Sequence, residues 1–164
     1  MHIVCTNTFL VKEGFVLLGR KQCGVVAGFL NGFGGRVDFG EDIAAAAQRE
    51  FTQETGGAEV ADPVPRGVVT FTCEEGSTDS IEMHIFLATR LVGVPRDTQE
   101  MHSINWFRIN ETLFSWMCRG DQLWLPTVLE GGSVQGRIHY ERPGDRIVWH
   151  RLNLAEAVRA QTVG

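Results

Sequence analysis

Between Gly34 and Gly57 the chain reads GGRVDFGEDIAAAAQREFTQETGG, a glycine-rich approach, a run of strong helix formers and a closing glycine pair. Asp42 stands where an N-cap is wanted and Gly56-Gly57 follow the last helix former, so the pattern predicts a helix over Asp42 to Thr55. At about 100° per residue, Ile43, Ala47, Glu50, Phe51 and Glu54 fall in one sector, with Ala46 and Gln53 at its edge. That face is apolar at its start and acidic at its end. Carboxylates on a core-facing stripe are expensive to bury without a cation or a solvent-filled site. Two readings stay open on the pair alone: Glu50 and Glu54, one turn apart, converge on a hard divalent ion such as Mg²⁺, or both lie on a solvated helix surface.

Working outward, Ile3–Val11 and Phe15–Lys21 alternate around Lys12-Glu13-Gly14 and predict an opening β-hairpin. From Cys23 to Gly40 glycine stands at positions 24, 28, 32, 34, 35 and 40, a density that implies sharp turns or close backbone approach. Beyond the helix, strand-like runs cover Gly67–Cys73, Ile81–Leu91 and Ile104–Ile109. Helical readings follow over Glu111–Cys118 and, despite Pro126, Gln122–Leu129. The chain then returns to β over Val134–Glu141 and Arg146–Leu154, through Pro143-Gly144. The sum is a mixed α+β domain with a hairpin-built sheet and helices packed on it.

The whole chain, at 164 residues, has the size of one compact domain able to bury a core without staples. An apolar share of 43% with 21% charged residues is that of a soluble globular protein, and no apolar run approaches the roughly 20 residues that span a bilayer. Met1–Val11 alternates like a strand and lacks a basic flank, so it does not read as a signal peptide. A cytoplasmic, monomeric protein without membrane contact is expected. Cys5, Cys23, Cys73 and Cys118 form no CxxC pair, and the five histidines lack metal-ligand spacing, which favours reduced thiols and structural or surface imidazoles. A net charge of −5 speaks against binding a nucleic-acid polymer, but one small polyphosphate carried with a divalent ion remains open.

Counted from Gly35, the chain runs Gly35-x5-Glu41-x7-Arg49-Glu50-Phe51-x-Gln53-Glu54-x-Gly56. This resembles the Nudix box, G-x5-E-x7-R-E-U-x-E-E-x-G-U with U apolar. The resemblance implies a Nudix fold, a mixed β-sheet core sandwiched between helices, as one domain over residues 1–164. It also implies a hydrolase that cuts the diphosphate linkage of a nucleotide with Mg²⁺, for which Mn²⁺ can substitute. On the matching positions the Gly34 carbonyl, Glu50 and Glu54 would hold the metal and Arg49 would orient Glu41, with Gly35, Glu41 and Gly56 shaping the motif. Two positions depart from the box. Gln53 stands where the first glutamate of the E-E pair is usual, an amide that can coordinate through oxygen but cannot serve as a general base, and Gly57 replaces the final apolar residue. Glu100, in the loop before the 104–109 strand, resembles the family's downstream carboxylate and is expected as a metal ligand or base, with a solvated loop acid as the alternative.

Beyond the box the chain resembles the MutT-like enzymes that hydrolyse oxidised purine nucleoside triphosphates such as 8-oxo-dGTP. Leu17–Lys21, Asn31–Val37, Glu100-Met101, Trp106-Phe107, Asp121 and Trp124–Pro126 carry that likeness. It implies that Asn31 contacts the base and that Asp121 reads its Watson–Crick edge, with Thr6, Lys21 and Phe71 at other pocket positions. Here too the chain departs: Cys118 stands in place of a stacking tryptophan, Gly120 in place of a second acid and Val25 in place of an aromatic. The expected reaction gives nucleoside monophosphate and pyrophosphate. The alternatives are a hydrolase of another nucleoside diphosphate derivative, or a nucleotide-binding module whose catalysis is weakened through Gln53.

Overall fold

The computed structural model describes residues 1–76 and 79–158; the end of the expected 1–164 domain, residues 159–164, lies outside them. The opening hairpin forms as expected, with β1 (His2–Lys12) antiparallel to β2 (Phe15–Lys21) around Glu13 and Gly14, both at positive φ. A two-residue β3 (Leu30–Asn31) precedes the long helix α1 (Ile43–Glu54), followed by β4 (Glu59–Ala61), β5 (Val64–Cys73), β6 (Ser80–Ala88) and β7 (Arg90–Val92). Then come β8 (Met101–Arg108), the single-turn helix α2 (Glu111–Phe114), α3 (Asp121–Leu129), β9 (Ser133–Tyr140) and β10 (Ile147–Ala155).

The main sheet runs β10-β9-β5-β6-β1-β2-β3, with β8 also paired to β2. It is mixed, because β1 runs parallel to β6 and β5 parallel to β9 while the other pairings are antiparallel. Side chains alternate across a pleated strand, so neighbours go to opposite faces. Phe9 and Leu18 join one buried cluster with Val69, Ile85, Trp124, Leu125 and Ile138, whereas Leu10 and Leu17 join a second with Phe33, Phe51, Ala58 and Met101. The first core is closed by α3, which lies over β9 and β10, and the second by α1, which lies over β1 and β4. A sheet with helices on both faces is the α+β sandwich expected.

Two expectations differ from the structure. The run 81–91 is two strands, because the chain leaves the main sheet after Ala88 and β7 pairs with β4 in a separate two-stranded sheet. The helix expected to Cys118 stops at Phe114, capped by Asn110, whose side chain accepts from the Leu113 N–H at 3.0 Å. The helix across Pro126 forms as expected. The proline ring deprives the Gln122 carbonyl of an intrahelical donor. Burial of Trp124, Leu125, Val128 and Leu129 on the same short helix offsets that loss, as tertiary packing does for most helices.

Candidate active site

Helix α1 is fixed at both ends, which sets the height and rotation of its acidic turn. The Asp42 carboxylate caps the Ala45 N–H at 3.1 Å. At the other end Gly57 N–H donates to the Thr52 carbonyl at 2.9 Å across Gly56, which adopts φ +67°, a left-handed geometry where a side chain is disfavoured. Two further carbonyls of the last turn are met by the segment before β8: Arg96 N–H donates to Thr55 O at 2.8 Å and Thr98 Oγ1 to Glu54 O at 3.2 Å.

On this helix the Arg49 guanidinium organises three acceptors. Nε and Nη2 donate to the two oxygens of Glu41 at 2.7 and 2.9 Å, Nη1 donates to Glu50 Oε1 at 2.6 Å, and Nη1 also reaches Gln53 Oε1 at 3.3 Å. A two-pronged guanidinium–carboxylate contact fixes direction as well as distance. Arg49 and the Asp38 N–H hold the Glu41 carboxyl down at about 2. The fork is tied to the preceding loop through Nη2 to the Arg36 carbonyl at 3.1 Å. That loop lies so close that a Cβ on Gly35 would run into the Glu50 carboxylate, so only glycine leaves the acid its place.

Glu54 is 1% exposed, the most deeply buried acid of the helix. Burial raises its carboxyl above the usual range, and Lys21 and the Gly34 N–H act against that rise. The Lys21 ammonium contacts Glu54 Oε1 and approaches the Gly34 carbonyl at 3.5 Å, while the Gly34 N–H donates to Glu54 Oε2 at 3.0 Å. A cation therefore already bridges the carbonyl and the carboxylate. Glu100 reaches Glu54 only through its field, adding slightly to the rise. Among the described residues no three acidic, histidine or cysteine side chains come together as a metal cage.

On the opposite face of the sheet lies a cavity of about 330 Å³, walled by Ile3, Cys5 and Asn7 of β1 and by Asn31, Phe71 and Asp121 among others. Asn31 Oδ1 accepts from Asn7 Nδ2 at 2.9 Å and from the Gly32 N–H at 2.8 Å, which commits the oxygen and leaves the amide NH₂ as donor for a ligand. Phe71 stacks on Tyr140 at 6.1 Å. The Asp121 carboxyl is pushed up to about 7 by burial. Thr6 and Lys21 do not line this cavity: Thr6 points to the α1 face with Leu10, and Lys21 is spent on Glu54. Asn7, one residue on from Thr6, lines it instead, and the period of two along β1 was the signal that could have found it. Val25 and Cys118, two of the departures, are wall residues. Trp124 is both core and wall, packed edge-on to Phe9 at 6.0 Å.

Cavity and carboxylates meet at Cys5. Its thiol lines the cavity, its pKa is raised by burial, and Arg36, Glu50 and Lys21 all act on it electrostatically. Cys5 and Arg36 are thus the cavity residues that lie toward the acidic end of α1.

These features define a hydrolase scaffold, and the comparisons agree. The NUDIX domain model matches residues 2–128, and the chain belongs to the Nudix family. It is 38% identical over 152 residues to the oxidized purine nucleoside triphosphate hydrolase of Danio rerio, covering 92% of this chain and 94% of that protein. It is 34% identical to the Mus musculus protein of the same name, covering 83% of this chain and 85% of the relative. Among solved structures, a MutT protein from Bacillus halodurans superposes with a TM-score of 0.80 at 27% identity, covering 92% of this chain and 97% of the other. The chain is thus a Nudix hydrolase with the mixed sheet of the MutT proteins.

The residues present fit a hard divalent cation. The available donors are oxygens only, the Gly34 carbonyl with the carboxylates of Glu50 and Glu54. Glu54 is buried where a cation must compensate it, a place the Lys21 ammonium now takes.

Proposed function

We propose that this chain hydrolyses an oxidised purine nucleoside triphosphate, such as 8-oxo-dGTP, to nucleoside monophosphate and pyrophosphate in the presence of Mg²⁺. The observation that carries this reading is the acidic turn of α1, ordered by Arg49, together with a cavity of about 330 Å³ whose wall residue Cys5 feels the charge of Glu50. The names of the zebrafish and mouse relatives support the same substrate class.

Asn31 donates to the base, Phe71 offers a ring face, and Asp121, with its carboxyl near neutrality, offers either a donor or an acceptor to the base edge. Gly34 O, Glu50 and Glu54 would hold the ion. When bound, the ion supplies charge neutralisation for the phosphates and helps to activate water. Arg49 acts through other groups: it pins Glu41 and aims Glu50, so it is a positioning residue. Gln53, its oxygen turned to Arg49, cannot take a proton from water, and Glu100, whose charge acts on Glu54, is the remaining candidate for that duty. The free cysteines suit a reducing compartment such as the cytoplasm, and among the described residues no helix is long and apolar enough to cross a membrane.

The test is pyrophosphate release from unmodified and oxidised purine nucleoside triphosphates, with Mg²⁺ present or chelated. Metal-dependent turnover with preference for an oxidised base is expected; no metal-dependent turnover on any of them overturns the reading. Glu54→Gln should reduce turnover by at least a hundredfold with the fold intact, because one ligand charge is lost at almost constant volume. Unchanged activity would remove Glu54 from the metal site.

A further inference from the structure

Gly120 precedes Asp121 at the head of α3 and faces Tyr140, the one tyrosine of the chain, on β9. A Cβ built on Gly120 would collide with the Tyr140 hydroxyl and press on Ile138 Cδ1 at 3.1 Å. The room beside Asp121 is thus filled from across the cavity by a phenol. Tyr140 is buried, lines the same cavity as Asp121 and Asn31, and is steadied by Phe71 stacked on its ring.

The oxygen of that phenol is engaged by the Gly120 backbone N–H, while burial and the nearby Asp121 raise its pKa. It therefore stays protonated at any physiological pH. A hydroxyl whose oxygen lies against a backbone N–H turns its proton the other way, toward the cavity. Asp121 differs: with its carboxyl near neutrality it can present either a donor or an acceptor.

We infer that the Tyr140 hydroxyl is a fixed hydrogen-bond donor to a carbonyl oxygen on the edge of the bound base, and that it biases the cavity toward 6-oxopurines over 6-aminopurines. This rests on the reading of the cavity as the base pocket. Gly120 is the partner residue: it supplies the space and the N–H that hold the hydroxyl in place. A 6-amino group would set donor against donor at this point, and a buried donor left unmatched costs more than an ordinary hydrogen bond returns.

The experiment crosses Tyr140→Phe with removal of the carbonyl from the substrate. Kinetics would be measured on guanine and adenine nucleoside triphosphates, their oxidised forms, and the 2-aminopurine nucleoside triphosphate that lacks the 6-oxygen. For the wild type, kcat/KM should fall roughly fivefold to tenfold when the 6-oxygen is absent. Tyr140→Phe should abolish that difference, chiefly through KM on the guanine substrates, and lower the 6-oxo over 6-amino ratio by a similar factor.

In parallel, Gly120→Ala should lower the melting temperature more in the wild-type background than in Tyr140→Phe, where the colliding oxygen is gone. Turnover with no dependence on the 6-oxygen, or an unchanged base ratio in Tyr140→Phe, overturns the inference while leaving the substrate class standing. Equal penalties for Gly120→Ala in both backgrounds also overturn it. If Tyr140→Phe fails to fold, the 6-oxo over 6-amino ratio is measured in Gly120→Ala, whose Cβ displaces the hydroxyl, and an unchanged ratio there overturns the inference. Absence of turnover on every purine triphosphate defeats the substrate reading, and this inference with it.

Discussion

Lys21 and Glu54 stand 33 positions apart in sequence, and no spacing rule joins them. By contrast Arg49 and Glu41 lie eight apart, and their partnership follows from the motif. Short-range partners on one loop and helix are legible in a sequence; a partner delivered by a neighbouring strand is not. The buried pair also makes a prediction. Removing one member of a buried ion pair strands the other, at about 3–5 kcal/mol. Lys21→Met should therefore melt well below the wild type in chelator, and added Mg²⁺ should close most of the gap by compensating Glu54 in its place. A gap that does not change with metal would show that the ion does not reach Glu54.

Asp121 gives a second prediction at this scale. Its carboxyl is pushed up to about 7 in the folded chain, against about 3.9 when unfolded. Between those values the folded state holds a proton that the unfolded state has lost, so stability falls as pH rises from about 4 to about 7 and levels off above that. At about 1.4 kcal/mol per unit the whole effect is at most about 4 kcal/mol. Asp121→Asn, which cannot ionise, should lose less stability than the wild type between pH 5 and pH 8 in denaturant titrations. Parallel pH profiles for the two proteins would refute the raised value.

The elements divide in the same way. Helix α1 was legible because caps, composition and apolar spacing agree: Asp42 starts it, Gly56 ends it, and Ala46, Ala47, Phe51 and Glu54 are its buried side. The pair β4 and β7 was not, since three residues carry too few alternations to register and β7 continues the apolar run of β6. The glycine density implies sharp turns or close backbone approach but names no target; in the fold one target is the Glu50 carboxylate against Gly35. The apolar half of α1 is anchored by Phe51, fully buried and edge-on to Phe33 at 5.1 Å. Phe51→Ala should cost about 3–5 kcal/mol. Because Glu50 and Glu54 flank Phe51, the surviving folded fraction should also need more metal for half-maximal rate. A stability loss with an unchanged metal requirement would mean that the acidic turn is held by Arg49 and Lys21 alone.

Across the whole molecule, the sheet separates two tasks. The face covered by α1 carries the acidic turn, the face closed by α3 carries the cavity, and β1 serves both, with Cys5 and Asn7 on one side and Thr6 on the other. Under the proposed function, base recognition and phosphate chemistry are then joined through the ligand, on the side of the cavity where Cys5 feels the charge of Glu50. A nucleoside monophosphate should bind in the cavity with little dependence on Mg²⁺. A non-hydrolysable triphosphate analogue should bind at least tenfold more tightly with the ion, a gain of about 1.4 kcal/mol. Since a ligand at 100 times its Kd stabilises the folded state by about 2.7 kcal/mol, melting shifts and calorimetry should report the same order of affinities. Glu54→Gln should remove the metal-dependent gain and leave monophosphate binding intact, whereas Asp121→Asn should weaken both ligands by the same factor. Equal metal dependence for the two ligands would place the monophosphate on the acidic turn and remove the division of labour across the sheet.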